Sequence, residues 1–224
     1  MNRHVLDDAL VVDQKVSGEA SVELAQGVSL SDRADGLLNI LQPDVAAAIW
    51  HRDPAPEFQT WLDQLPPEYL PEGRIILSAS AIRVALEAMC ERCPSSDSDH
   101  VEALIDDATM LAERFLSAVD APYLRLRMDV VTGNACRRFH IDAVKARLIC
   151  TYRGMGTQYG TASDGVTPEH IHTVPTGSPV ILRGTLWPET PIANLRHRSP
   201  PIEGTGETRL LFVVDPIFDP DEEA

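Results

Sequence analysis

The chain has 224 residues, 44% of them apolar, which suffices for one core with appendages or two small domains. Nineteen basic against 34 acidic side chains leave a formal charge of −15. That balance argues against nucleic acid and anionic membranes as partners, since both need a basic surface, and favours a small molecule or a protein side chain as substrate.

Four cysteines, Cys90, Cys93, Cys136 and Cys150, are too few for a disulfide scaffold. No apolar run is long enough to cross a bilayer. The start, Met1 to Asp8, carries acids where a secretory signal would be apolar, so the expected location is cytoplasmic. Oligomeric state is left open. Residues 1–35 show no clear period and are expected to form a weakly ordered arm.

Residues 36–121 are expected to form a helical region. The pattern from Gln42 to Leu65 predicts helix, with Val45, Ile49 and Trp50 on one face and interruptions at Pro54 and Pro56. A short helix holding Phe58, Trp61 and Leu62 should stop at Pro66-Pro67, where proline cannot continue it. Another should run through Ile82, Leu86 and Met89 to Cys93. A long one, roughly Ser98 to Val119, carries Leu104, Ile105, Ala108, Leu111, Ala112 and Phe115 on one stripe.

After Pro122 the period drops to two. Leu124, Leu126, Met128 and Val130 alternate with Arg125, Arg127 and Asp129, which predicts a strand with one apolar face. Arg125 and Arg127 then face either a substrate or solvent, and the solvated face is the expectation. Strand-like runs recur at Arg138–Ile141, Ala146–Tyr152, Pro179–Arg183, Asn194–Arg198 and Thr208–Asp215, separated by turn-rich segments. Residues 122–218 therefore read as an all-β core of sandwich, jelly-roll or barrel type, and 219–224 as an acidic tail. The fold class is α+β, with helices first and strands after.

His140 and Asp142 stand two apart, and residues two apart on a strand point the same way, so both can grip one ion. Nitrogen and carboxylate donors suit Fe(II), Mn(II) or Zn(II). His197 lies in a later short strand. Arg209 opens the apolar run Leu210–Val214, where an inward-facing guanidinium requires an anionic partner.

The order His-x-Asp, long gap, His, about a dozen residues, Arg resembles the Fe(II)- and 2-oxoglutarate-dependent dioxygenases over roughly residues 120–216. The resemblance implies a cupin-like double-stranded β-helix (jelly roll) on which the N-terminal helices pack. It implies His140, Asp142 and His197 as the metal-binding and catalytic triad, and Arg209 as the clamp for the far carboxylate of 2-oxoglutarate. Tyr152 and Arg153, just before the turn at Gly154 and Gly156, are the further candidates for binding the co-substrate; their alternative is turn anchoring. Gly177–Gly184 is similar to the glycine-led strand that precedes the distal histidine.

A second resemblance covers most of the chain. His140-Ile141-Asp142, Cys150 to Thr157, His197 to Pro201 and Ala48-Ile49-Trp50-His51-Arg52 look like a bacterial family known as domain of unknown function 1826. That family's association with zinc-homeostasis gene neighbourhoods keeps Zn(II) as the alternative metal, in a non-catalytic metal-binding protein. A metal-free β-sandwich is the third reading. Cys90-Glu91-Arg92-Cys93 has zinc-knuckle spacing, but structural zinc wants four ligands, so ordinary thiols are expected there. His170 and His172 fail the cupin pattern, because Thr176 stands where its glutamate would be. They are expected on a surface loop.

Overall fold

The structure, a computed structural model, describes residues 24–189 and 194–221. Its described elements combine three α-helices with two β-sheets. The helices are α1 (Pro56–Gln64), α2 (Ile82–Met89) and α3 (Ser98–Val119). The strands are β1 (Val28–Ser31), β2 (Ala47–Trp50), β3 (Gly73–Leu77), β4 (Tyr123–Val131), β5 (Ala146–Arg153), β6 (Gln158–Thr161), β7 (His172–Thr173), β8 (Pro179–Arg183), β9 (Leu195–Arg198) and β10 (Arg209–Ile217). The large sheet has the order β1-β2-β8-β5-β10-β4-β3, and the small one β7-β6-β9.

Two apolar cores follow from strand alternation. On one face of the large sheet Leu124, Leu126, Met128, Leu148, Cys150, Leu210, Phe212 and Val214 pack with Leu104, Ala108, Leu111 and Phe115 of α3. On the other face Ile149, Val180, Leu182, Leu211 and Val213 meet Tyr159 and Leu195 of the small sheet, with Val174 beside them. The large sheet is thus the middle layer, with helices behind it and the small sheet in front. None of the described helices is long and apolar enough to cross a membrane.

The stripe through α3 matches its observed span, and Asp120 ends the helix in a left-handed turn. The helix expected from Gln42 is overturned over its first half. Residues 47–50 form β2, parallel to β1 and antiparallel to β8. The physical reason is burial on both faces: Ala47 and Ile49 enter the core between the sheets while Ala48 enters the helix-side core. A strand buried on both sides shows a continuous apolar run rather than alternation. β1 also contradicts the weakly ordered arm for residues 28–31; residues 1–23 of that arm, and 222–224 of the acidic tail, lie outside the described residues. The helical region 36–121 contributes two strands, β2 and β3, to the large sheet.

Candidate metal centre

Arg138–Ile141 does not extend into a strand. A single antiparallel bridge joins His140 to His197, each backbone N–H donating to the other's carbonyl at 3.0 Å. The bridge sets the two rings side by side, centroids 4.5 Å apart. Asp142 is fixed from the other side by the end of β8. The Thr185 N–H donates to its carbonyl at 2.9 Å, and a Cβ at Gly184 would lie 2.8 Å from that carbonyl oxygen and 1.9 Å from that of Val144. Glycine is what lets this backbone approach the loop so closely.

The structure brings His140, Asp142 and His197 together, one donor atom from each lying within 4.8 Å of the others. It is the one such group of potential metal donors among the described residues. Nε2 of His140 is 3.3 Å from Oδ1 of Asp142, and Nε2 of His197 is 3.0 Å from Oδ2. Nδ1 of His140 lies 2.8 Å from the carbonyl of Arg138. A proton on Nδ1 donated to that carbonyl leaves the Nε2 lone pair turned toward Asp142, the orientation that metal-binding histidines receive from their outer partners. Cys136 Sγ stands 3.6 Å from the same Nδ1.

The two oxygens of Asp142 are used differently. Oδ1 accepts from Arg147 at 2.6 Å, whereas Oδ2 is buried and has no hydrogen-bond partner despite the nearby His197 ring. Burial would raise this carboxyl, but contacts with His140 and His197 and the charge of Arg147 outweigh it and hold the group well below the ordinary carboxylate range. The contact with Asp142 lifts His140 above its ordinary value against partial burial. Burial lowers His197, which is 6% exposed, and keeps it neutral.

Sequence reasoning missed Arg147 and Asp215. Arg147 donates from Nε and a terminal nitrogen to the two Asp215 oxygens at 2.6 and 2.9 Å. Asp215 is 1% exposed. Its signal was available: an aspartate at an inward position of the run Leu210–Ile217 must be paired to be buried. Arg125 and Arg127, expected to face solvent, are turned by strand alternation to this same face, and Arg127 reaches Asp215 at 3.5 Å.

Arg209 is fully buried on β10, on the face of Leu211 and Val213. Its Nε donates to the Met155 carbonyl at 2.6 Å, while both terminal nitrogens lack partners. Burial lowers this guanidinium from 12.5 to about 10. Tyr152 and Arg153 are not brought to that face. The β5–β10 register shifts between Leu210 and Leu211, so that both residues lie on the helix side. The Tyr152 hydroxyl donates to Asp107 at 2.6 Å inside the helix-side core, and Arg153 donates to the Leu65 carbonyl at 2.6 Å. The expectation came from their place before the glycine turn, which does not fix the face that either side chain takes. His170 is exposed, and His172 stacks on Tyr159 in β7 with ring centroids 5.2 Å apart.

The sequence pattern of the family described as Protein of unknown function (DUF1826) matches residues 31–215. The chain belongs to that family. No curated protein matches it. Among solved structures it is similar to dioxygenase for auxin oxidation 1 from Arabidopsis thaliana, in a 2-oxoglutarate complex, at TM-score 0.51 and 11% identity. That alignment covers 88% of this chain and 94% of the other. The rice dioxygenase for auxin oxidation aligns at TM-score 0.46 and 15% identity, over 79% of this chain and 74% of that one. An oxidoreductase of the 2OG-Fe(II) oxygenase family from Burkholderia pseudomallei aligns at TM-score 0.41 and 12% identity, over 86% and 96%. At such identities the first likeness shows a shared fold and nothing finer.

Proposed function

We propose that this member of the DUF1826 family is an Fe(II)- and 2-oxoglutarate-dependent oxygenase of the hydroxylase type, acting on a small molecule or a protein side chain. In this reading the two facing sheets are a double-stranded β-helix, the fold likeness to a dioxygenase that binds 2-oxoglutarate supports it, and His140, Asp142 and His197 hold the metal. The donor set fits a divalent ion: two neutral imidazole nitrogens and one carboxylate oxygen, Oδ2 of Asp142, which is buried and without a hydrogen-bond partner. Arg147 holds Oδ1 and so fixes the carboxylate plane, while the Arg138 carbonyl fixes the His140 ring. Bound there, iron with 2-oxoglutarate and O₂ supplies the oxidising chemistry.

The observation that carries the reading is Arg209. A buried guanidinium with two orphaned nitrogens costs free energy unless an anion meets it. Two parallel N–H donors match a carboxylate. In this reading a five-carbon diacid held at the metal by one end offers its far carboxylate to these two donors. Among the described residues no observation favours zinc over this assignment, and the four cysteines, all free, form no metal-ligand group.

The test is an anaerobic titration of metal-free protein with Fe(II) and then 2-oxoglutarate, following the visible charge-transfer absorption of the chelate. The absorption is expected in wild type and absent in His140→Ala. Tight metal binding with no 2-oxoglutarate affinity would overturn the oxygenase reading and leave a metal-binding protein.

A further inference from the structure

Two thiols that the proposed function does not use stand together where α2 ends. Cys90 caps the helix and is buried in the helix-side core, while Cys93 is half-buried at its rim. The Cys-x-x-Cys spacing is folded into a turn, in which the Cys93 N–H donates to the Cys90 carbonyl at 2.9 Å. A turn closed between residues i and i+3 keeps their Cα atoms within about 7 Å, the reach of a disulfide. The side chains close the same gap, for the two thiols are hydrogen-bonded to each other. The Cys93 S–H donates onward to the Tyr69 carbonyl at 3.3 Å. The other two cysteines are placed differently. Cys150 gives its S–H to the Gly177 carbonyl inside the core, and exposed Cys136 stands beside His140.

The pair is unequal. Hydrogen bonding with Cys93, together with burial, pushes the Cys90 thiol up and keeps it protonated. The same hydrogen bond, helped by the charge of Arg92, draws Cys93 below its ordinary value against burial and the charge of Asp97. The helix contributes nothing to this, since the turn sits at the negative end of the α2 dipole. A reachable thiol backed by a buried, protonated one is an arrangement in which the first attacks and the second resolves. A structural zinc ion takes four ligands, and among the described residues no group of three donors includes either cysteine.

We infer that Cys90 and Cys93 form a redox-active dithiol at which the chain exchanges with small disulfides, Cys93 attacking and Cys90 resolving. Cys93, as thiolate, attacks one sulfur of the small disulfide. A mixed disulfide forms, and one small thiolate leaves and takes up the proton that Cys93 released. Cys90 then attacks the Cys93 sulfur. The internal S–S bond forms, the second small thiol leaves with the proton of Cys90, and two electrons have passed from the protein to the small disulfide. The turn already holds the two sulfurs together, so this second step is intramolecular and outruns attack by another small molecule. Closing so short a loop constrains the unfolded chain little, which makes the bond a reversible one and not a structural staple. Oxidation also withdraws the S–H from the Tyr69 carbonyl, at the entry to β3. The inference does not rest on the oxygenase reading.

The experiment is anaerobic equilibration of reduced, full-length protein in glutathione buffers of rising disulfide content, up to glutathione disulfide alone. Acid quench, alkylation of free thiols in denaturant and tryptic digestion without reductant follow. Trypsin cuts after Arg83, Arg92 and Arg114, and so parts Cys90 from Cys93. Wild type is expected to yield peptides 84–92 and 93–114 joined as one species, which dithiothreitol separates. Cys90→Ala is expected to lose the joined species and to retain glutathione on Cys93. Cys93→Ala is expected to lose it too, with Cys90 free of glutathione. The wild-type digest decides alone where a variant fails to fold. The two peptides recovered separately and alkylated from wild type in every buffer, or glutathione retained on Cys93 of wild type, overturns the dithiol. Glutathione on Cys90 in Cys93→Ala overturns the order of attack.

Discussion

Replacing Arg209 by methionine separates stability from co-substrate binding. Methionine keeps much of the volume of the buried side chain and removes the charge. A fall from 12.5 to about 10 corresponds to about 3 kcal/mol spent holding that charge in the core. The substitution also deprives the Met155 carbonyl of its donor, which costs about 1 kcal/mol. The free protein should therefore gain about 2 kcal/mol, or about 4–8 °C in Tm for a chain of this size. A base whose folded value is depressed destabilises at every pH below that value, so the gain should be flat across neutral pH and shrink as pH rises through about 10. The same variant should bind 2-oxoglutarate at least about thirtyfold more weakly, since truncating one partner of a buried charge pair costs about 2–5 kcal/mol. Thermal denaturation of metal-free protein and 2-oxoglutarate titration of the Mn(II)-loaded form measure the two effects. A lower Tm together with unchanged 2-oxoglutarate affinity would refute the reasoning, because Arg209 would then be a satisfied structural residue.

Saturating Mn(II) at a hundred times its Kd should stabilise wild type by about 2.7 kcal/mol, raising Tm by about 5–10 °C; a chelator should reverse this, and His140→Ala should abolish it. Metal affinity should climb with pH through and somewhat above 6.5. His140, raised by Asp142, holds its proton into that range, so the stability of the protonated pair is full below 6.5 and lost as pH rises through the folded value, just where the imidazole becomes free to ligate. Titrations between about pH 5.5 and 8.5 check the direction. Tyr152→Phe should cost about 2 kcal/mol in thermal denaturation by removing the 2.6 Å bond to Asp107, and leave 2-oxoglutarate affinity unchanged. Loss of that affinity would place Tyr152 at the site after all.

His140 and Asp142 were legible as a pair because their spacing obeys a local rule, two residues apart on extended chain sharing a side, whereas His197 was joined to them by the resemblance; the bridge from His140 to His197 brings the three together without a full strand. α3 was legible for the same reason, its stripe repeating over 22 residues. β2 was not, because burial on both faces erases alternation and four residues are too few to expose a period. Tyr152 and Arg153 were singled out by their place before the glycine turn, and the extra residue in β5 that turns both to the helix side has no signal in composition. Arg127 was misread because an arginine-rich strand face ordinarily meets water. Here β10 lies beside it with a buried aspartate, and that pairing connects residues 88 apart in sequence.

Arg147 ties Asp142 to the buried aspartate of β10. One guanidinium nitrogen holds Oδ1 of Asp142, and the remaining arms hold Asp215. Were Arg147 absent, Asp142 would be free to rotate both oxygens toward the histidines, and Asp215 would lose the two donors that satisfy it in the core. The orientation of the Asp142 carboxylate and the burial of Asp215 thus depend on one guanidinium.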